Sequence, residues 1–433
     1  MTNTNNDTYI RFTEEMKRNY TILVPDMLPM HFRLIMKILS NYGYKMEMLE
    51  SRGREIAETG LKYVHNDTCY PAILVIGQFL HALKSGKYNT HKVALMLFQT
   101  GGGCRASNYI SLLRKALEKA GYGYVPVVPM SLVAIEKHPG WHLSLPMLHK
   151  VFYGVFYGDI LMSLVNQVKP YEIEKGAADR LSARWIDALT EELGKKGSFV
   201  HYKTVLKRYS AIVKSFADIP REKRTPLKVG VVGEIYVKFS SLGNNELCRY
   251  LIEEGAEPVL PGLLDFLFYC IYNQIEDHKL YGRGALRAFL SDLAFRFLER
   301  KQADVIRVIR ENSGFVPPSP IRHTIALTEG YIGRGTKMGE GWLLTAEMLE
   351  LYDIGVKNIV CTQPFGCLPN HICGKGMIRP IKEKKPDINI VAIDYDAGAS
   401  GVNQLNRIKL MLSNAREEMS EKEGAQTNEF QKV

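Results

Sequence analysis

Apolar residues in the first third of the chain fall into short continuous runs that alternate with stretches of helical spacing. Such runs predict strands at 21–25 and 92–98, and further strands are predicted at 44–49 and 124–128. Helical spacing predicts helices over 72–83 and 107–120, and Gly121 ends the second of these. This βαβ rhythm predicts a parallel sheet covered by helices.

The strand signal disappears between 131 and 226, where amphipathic helical spacing dominates. It then resumes, with strands predicted at 228–232, 258–260, 358–361 and 388–394. Helices are predicted over 245–254, 263–311, 341–352 and 402–416. We therefore expect an α/β protein with a first lobe over 21–130, an intervening helical region over 131–226, and a second lobe over 227–416, each lobe containing a parallel sheet.

Both ends of the chain are polar, and segments 1–20 and 417–433 are expected to be flexible. The N-terminus lacks the charged and then apolar pattern of a secretory signal, so we expect a cytoplasmic protein. The longest apolar runs noted, 70–83 and 260–272, contain polar residues and are shorter than the roughly 18 residues that indicate a membrane span. No membrane segment is expected.

The chain carries 56 basic and 46 acidic residues, a net charge of +10. Such a charge permits an anionic partner, but the cations are scattered and no aromatic-interleaved basic motif accompanies them. We therefore expect no nucleic-acid partner.

Seven cysteines in a reducing compartment are more suited to thiolate chemistry or metal binding than to disulfides. Cys104 lies in the segment QTGGGCRAS, between a predicted strand and a predicted helix. This position is the carboxyl edge of a parallel sheet, where ligands bind. The preceding glycines Gly101, Gly102 and Gly103 let the backbone approach a large group closely, and the following helix N-terminus favours an anion.

A second group of cysteines follows the strand predicted at 358–361. Cys361, Cys367 and Cys373 are spaced C-x5-C-x5-C in a loop rich in proline and glycine. Cys69 precedes Tyr70 and Pro71, and a proline there suits the first turn of a helix. If the two lobes face each other, these cysteines and Cys104 predict a metal-cluster site between them.

Each cysteine also has a simpler interpretation as a small buried apolar residue. We favour that interpretation for Cys270 and Cys248, which lie among apolar residues in predicted helices. The compact C-x2-C pairs of structural zinc sites and the short cysteine run of bacterial ferredoxins do not occur.

Other polar residues at predicted loops and strand ends are weaker candidates. The glycine-rich segment 329–342, with Arg334 and Lys337, could approach a phosphate, but it matches no nucleotide-binding motif and is equally suited to a loop between domains. Glu234, Asp394 and Asp396 are candidates for acid–base roles, although capping and turn roles are more common for aspartates in such positions.

Four motifs carry a resemblance to a known family: NDTCYPA around Cys69, CR at Cys104 and Arg105, VGVVGEIYVKF at 229–239, and QPFGCLPNHI around Cys367. Together they resemble the 2-hydroxyacyl-CoA dehydratase superfamily, and more closely its acyl-CoA dehydratase activase-related branch, which includes double-cubane iron–sulfur proteins. They occur in the expected order, and the resemblance spans about 21–414.

The resemblance implies two flavodoxin-like or Rossmann-like lobes and a 4Fe–4S cluster held by three cysteines, for which Cys69, Cys104 and Cys361 match the intervals. It also implies a separate ATP-hydrolysing activator protein with its own iron–sulfur cluster, and it suggests a homodimer. Cys367 and Cys373 depart from the simple dehydratase pattern. A single cubane with spare thiols and a double cubane with one further ligand therefore both stay open.

The expected function is that of an iron–sulfur reductase or dehydratase component that accepts low-potential electrons and acts on a small substrate, such as an acyl-CoA, at the cluster. The expected metal ligands are Cys69, Cys104, Cys361, Cys367 and Cys373, and the expected cofactor-binding residues are Gly101, Gly102, Gly103 and Arg105. The alternatives are a cluster carrier or scaffold for a partner dehydratase, and a zinc-stabilised ligand-binding module.

Overall fold

The computed structural model of the chain describes residues 9–99, 103–130, 136–194 and 199–430. Within these residues the chain forms eight strands: β1 Thr21–Val24, β2 Lys45–Met48, β3 Val93–Phe98, β4 Val127–Met130, β5 Lys228–Gly233, β6 Glu257–Val259, β7 Asn358–Pro364 and β8 Asn389–Tyr395. The same residues form sixteen α-helices: α1 Glu14–Asn19, α2 Pro29–Ser40, α3 Arg54–Tyr63, α4 Tyr70–Lys84, α5 Tyr109–Ala120, α6 Leu145–Val168, α7 Ala177–Leu193, α8 Tyr202–Ala217, α9 Ile235–Phe239, α10 Leu247–Glu253, α11 Leu263–Tyr281, α12 Ala285–Asn312, α13 Ile321–Ala326, α14 Trp342–Asp353, α15 Ile378–Lys384 and α16 Gly401–Phe430.

The strands form two separate four-stranded sheets, and every strand pair is parallel. The first sheet has the order β2-β1-β3-β4 and the second has the order β6-β5-β7-β8. Strands such as β3 are apolar along most of their length because helices cover both faces of a parallel sheet. The predicted α/β class, with two parallel sheets and a helical region between them, is confirmed.

Several elements differ from the expected ones in their bounds. Strand β7 continues three residues beyond the predicted end, to Pro364. The helical stretch predicted over 263–311 is divided into α11 and α12, because Gly282 and Gly284 adopt left-handed φ angles of +66° and +67°. Helix α3 was not predicted.

Parts of both terminal segments expected to be flexible form regular structure. Helix α1 occupies part of the N-terminal segment, and Phe12 just before it is fully buried. At the other end, α16 continues to Phe430, well beyond the predicted helix end at residue 416.

The two lobes share one continuous apolar core. Helix α4 is buried along almost its whole length, and its residue Ile73 belongs to the same buried cluster as Leu95 of β3 and Val231 and Val360 of the second sheet. The site-bearing edges of the two sheets are therefore held together by apolar packing.

The helical region includes more of the chain than the predicted segment. Helices α6 and α8 belong to one buried cluster with α11 and α12, in which Phe268 and Phe295 pack edge to face at 5.1 Å. Helix α6 is long and apolar enough to span a membrane by length and composition alone. Most of this helix is buried against other elements, as in the core helix of a soluble protein.

Candidate functional site

The carboxyl ends of the central strands carry the residues singled out in the sequence. In each sheet the strand order reverses beside one strand, β1 in the first sheet and β5 in the second. A crevice for ligands forms outside the carboxyl ends of the strands at such a reversal. Cys104 follows β3, Glu234 follows β5 and Cys367 follows β7, so all three belong to these edges.

Cys69 lies at the N-terminus of α4, where its backbone caps the helix and Pro71 occupies the first turn. The side chain is buried, and its Sγ lies 2.8 Å from the hydroxyl oxygen of Tyr109. Burial raises the pKa of the Cys69 thiol, and the hydrogen bond with Tyr109 opposes that rise.

The loops that carry Cys69 and Cys367 are in direct contact. The backbone N–H of Tyr70 donates to the carbonyl oxygen of Phe365 at 3.2 Å. Gly366 has a φ of +74°, and a Cβ at this position would lie 3.5 Å from the Cα of Cys69. A glycine therefore suits this junction of the two lobes, both for its backbone conformation and for the close approach.

Arg105, the residue after Cys104, contacts the same junction. Its Nη1 donates to the carbonyl oxygen of Asp67 and would lie 3.4 Å from a Cβ at Gly366. The Arg105 charge also lowers the pKa of Cys69, against the larger effect of burial. Arg105 thus holds the loops of the site together and offers a positive charge near its sulfurs.

The glycine-rich segment 329–342 passes between Cys104 and the loop after Cys367. A Cβ at Gly339, which has a φ of +56°, would lie 3.0 Å from Cγ of Pro369 and 3.8 Å from Sγ of Cys104. A Cβ at Gly103 would lie 2.8 Å from Sδ of Met338 in the same segment. Loops from both lobes therefore converge around Cys104.

Two carboxyl groups, of the buried Glu340 and the half-buried Glu234, act on these thiols. Burial is the main cause that raises the pKa of Cys104 to about 11, and the nearby Glu340 and Glu234 contribute to that rise. Burial and then the same two carboxylates raise the pKa of Cys367. The pKa of Glu234 is itself raised to about 8 by burial and by the nearby Glu340. The two carboxyl groups and the two thiols therefore interact electrostatically with one another.

Hydrogen bonds fix the turn that carries Cys367. The side-chain amide of Asn370 donates to Sγ of Cys367 at 3.8 Å. The Nδ1–H of His371 donates to the carbonyl oxygen of Cys367 at 2.8 Å, and the Nε2 of His371 accepts from the amide of Gln363 at 2.8 Å. These contacts orient the sulfur and its backbone.

Cys361 lies in a different buried apolar cluster from Cys69. Because β7 extends to Pro364, Cys361 lies within the strand and not at its end. Side chains alternate between the faces of a strand, so Val360 faces the core between the lobes while Cys361 belongs to the apolar cluster on the other face, with Met348 and Leu349. Its pKa is raised to about 12, chiefly by burial.

Cys373 lies in a π-helical turn over Asn370–Gly374, and its carbonyl oxygen accepts from the hydroxyl of Thr345 at 2.8 Å. Burial and then the Glu340 carboxylate raise its pKa to about 11, which places it near the same carboxylate as Cys104. The same two causes raise the pKa of Cys270 to about 12. Cys270 is therefore less remote from the site than its apolar helix suggested.

Gly101 and Gly102 lie outside the described residues. The cations of the glycine-rich segment are already paired: Arg334 lies 3.5 Å from Glu276, and Lys337 forms an ion pair with Asp277. Asp394 forms ion pairs with Lys375 at 3.4 Å and Arg407 at 3.9 Å.

Sequence reasoning missed three polar residues at the site. Tyr109, Glu340 and Asn370 contact its sulfurs or perturb their pKa values. Asn370 and Glu340 lie in segments that the sequence had already marked by their cysteines and glycines. Tyr109 had no such signal, because a tyrosine at the start of an amphipathic helix is an ordinary core residue.

Taken together, the fold and the site define an α/β protein with two parallel sheets and a helical region, in which cysteine-bearing loops of both sheets meet at their carboxyl edges. Among the described residues, no group of three or more His, Cys, Asp or Glu side chains is placed to hold a single metal ion. Comparison with protein-family models gives no match to this chain, and comparison with the curated proteins gives none either.

Proposed function

We propose that this protein binds an iron–sulfur cluster through Cys69, Cys104 and Cys367 and serves as the electron-accepting component of an ATP-dependent reductase or dehydratase system. The observation that carries the proposal is the meeting of three cysteine-bearing loops from both lobes at the switch points of two parallel sheets. The resemblance to the 2-hydroxyacyl-CoA dehydratase superfamily agrees with this proposal, which gives Cys367 the role that the motif intervals gave to Cys361.

The donor set suits a cluster better than a single ion. Thiolate sulfur is the usual protein ligand of iron–sulfur clusters, and a cluster is larger than one ion and holds its ligands further apart. A preformed zinc site would instead draw four ligands around one tetrahedral centre, and the described side chains offer no such group.

The number of iron atoms depends on which further thiols take part. Three thiolates leave one iron of a cubane open to substrate. A double cubane needs six thiolates, so Cys373 and two further cysteines would have to take part.

The bound cluster would supply single electrons at low potential. The chain's own residues tune and orient the sulfurs: the Tyr109 hydroxyl can donate to Sγ of Cys69, and the Asn370 amide donates to Sγ of Cys367. Hydrogen bonds to ligand sulfurs stabilise the added negative charge of reduction. Glu234, whose pKa is raised by burial and by the nearby Glu340, is the candidate proton donor to a group bound in the crevice.

The electron donor is expected to be another protein. The sequence contains no G-x4-G-K-[ST] phosphate loop, so ATP hydrolysis is assigned to a separate activator. The substrate class follows only from the resemblance, which points to an acyl-CoA.

Metal analysis of matched variants tests the ligand assignment. After anaerobic purification we expect iron and sulfide in nearly equal amounts, and we expect Cys104→Ser and Cys367→Ser to lose most of both. Cys361→Ala should retain them, because its sulfur packs on the other face of β7. Iron loss in Cys361→Ala with full retention in Cys367→Ser would reverse the assignment, and zinc in place of iron would refute the proposal.

Electron paramagnetic resonance distinguishes an enzyme from a cluster carrier. The protein, reduced by activator and ATP, should change its signal when a 2-hydroxyacyl-CoA thioester is added. A carrier would give the reduced signal with no response to any thioester tested.

A further inference from the structure

Helix α12 presents a row of large apolar side chains to solvent. Together with the end of α11, seven such residues are each between 50 and 73% exposed: Leu280, Tyr281, Leu286, Phe289, Leu290, Leu293 and Phe297. We call this set the α12 stripe. Five of the seven lie on one face of α12 by their spacing, and an exposed apolar face of this kind is typical of an interaction site.

Helix α12 is also well packed against the rest of the protein. The opposite face of α12 is buried in the helical core, where Ala288, Phe295 and Leu298 belong to the interior. The helix is thus apolar on two faces, and the fold uses only one of them. The outer face is available to a partner.

The spacing within the stripe indicates what shape of partner fits. Leu286, Leu290, Leu293 and Phe297 are separated by four, three and four residues, which is the a and d pattern of a heptad repeat. Side chains in this pattern receive those of another helix running alongside.

The exposed area is adequate for a stable contact. Because one large side chain buries 150–250 Å² when fully covered, seven at half to three-quarters exposure offer roughly 700 Å² on this side. A typical specific interface buries about 800 Å² per partner.

The charges beside the stripe indicate the partner's sign. Between residues 279 and 301 the chain carries six basic and two acidic residues. Both acids are already paired within the protein, Asp292 with Arg296 at 2.7 Å and Glu299 with Arg322 at 2.5 Å. Neither Arg287 nor Arg300 forms an ion pair with any residue that the structure describes.

These charges argue against a second copy pairing through the same helix. Arg287, Arg296 and Lys301 fall at the e and g positions that flank the a and d row, where partner helices exchange charge contacts. Two copies of α12 would bring these cations against one another, and like charges across an interface are unfavourable.

We infer that the α12 stripe is the docking site for an amphipathic helix of a different protein, with apolar residues at its a and d positions and acidic residues beside them. The apolar rows would bury each other, and the acidic flanks would neutralise Arg287 and its neighbours. This inference rests on the surface of α12 and does not depend on the cluster proposal.

The experiment uses the full chain and two synthetic four-heptad peptides, both with Leu at a and d. One carries Glu at e and g and the other carries Lys. We expect the Glu peptide to bind about tenfold or more tightly than the Lys peptide at low salt, with the difference shrinking as salt rises. Leu290→Glu should abolish binding, while Ile173→Glu, at an equally exposed apolar residue outside α11 and α12, should leave it unchanged.

A charge-reversed variant keeps the test decisive if Leu290→Glu folds poorly. Arg287→Glu combined with Arg300→Glu changes only exposed residues and should shift the preference toward the Lys peptide. Equal affinity for both peptides would overturn the inference. So would self-association in sedimentation, or binding to anionic lipid vesicles, that Leu290→Glu abolishes, because a second copy or a membrane would then cover the stripe.

Discussion

Several ionisable side chains are buried in the region between the second sheet and the helices. Asp265, Glu340, Glu347 and Glu350 are all buried, and burial raises the pKa of each. The buried Lys238 donates to Glu347 at 2.8 Å. Carboxyl groups with raised pKa values hold protons in the folded protein that they would release in the unfolded chain.

The pH dependence of stability follows from this difference. For Glu350 the unfolded pKa is about 4.3 and the folded pKa is higher. As pH rises from the first value to the second, the unfolded state releases the proton while the folded state keeps it, so stability falls with rising pH. Below the unfolded pKa this contribution is constant.

We expect Glu350→Gln to flatten this fall. Glutamine has a similar shape and does not titrate, so the decline of the unfolding free energy with pH should become shallower by up to about 1.4 kcal/mol per pH unit in that window. Urea unfolding of the metal-free protein at a series of pH values measures the decline of the unfolding free energy. Glu58→Gln, at an exposed position, is the control, and equal slopes in Glu350→Gln and the parent would contradict the expectation.

At the scale of elements, the packing of α3 against α4 positions the helix that begins beside Cys69. The two helices approach so closely that their backbones touch: a Cβ at Gly77 would lie within 3.0 Å of the Ile56 carbonyl oxygen, and one at Gly60 within 3.0 Å of the Ile73 carbonyl oxygen. Backbone atoms cannot move aside as a flexible side chain can. Glycine is required at this crossing because of space.

Gly77→Ala is therefore expected to destabilise the protein despite the better helix propensity of alanine. Overpacking at a helix crossing costs about 1–3 kcal/mol, which outweighs the gain of about 1 kcal/mol from propensity. Thermal unfolding measures the difference. Gly314→Ala, where nothing lies within 4 Å of the new Cβ, should leave the melting temperature close to that of the parent. A Gly77→Ala variant as stable as the parent would show that the helices can separate.

At the scale of the whole molecule, two sheets with the same strand order meet through a shared apolar core and through the loops that carry Cys69, Cys104 and Cys367. A group bound by these cysteines would join the two lobes. A ligand that binds only the folded state stabilises that state according to its concentration and affinity.

Removing the proposed cluster should lower the melting temperature. Treatment of the anaerobically purified protein with an oxidant and an iron chelator should decrease the melting temperature by several degrees. Cys361→Ala should show the same decrease, whereas Cys367→Ser, which lacks the cluster from the start, should show none. An equal decrease in Cys367→Ser would mean that the treatment damages the protein by another route.

The prediction from sequence was most accurate where short-range rules apply. A strand was predicted at or overlapping each of the eight observed positions, and the signal was clearest for strands such as β3, because a strand in a covered parallel sheet is apolar on both faces. The predicted ends of the strands were less accurate than their positions. The apolar signal of β7 ends at Cys361, but backbone pairing with β8 continues to Pro364, and pairing depends on the neighbouring strand.

The sequence marked the segments of the candidate site, but it did not show which of their cysteines lie together. The sequence by itself determined that Cys104 and the cysteines after β7 lie near strand ends, because strand, glycine-rich loop and helix follow one another locally. Only the tertiary structure decided that Cys367 shares the junction with Cys69 while Cys361 faces the opposite side of the sheet. The physical reason is that the length of β7 depends on its pairing with β8 and that the contact between loops about 300 residues apart depends on the packing of the two lobes, neither of which a local pattern encodes.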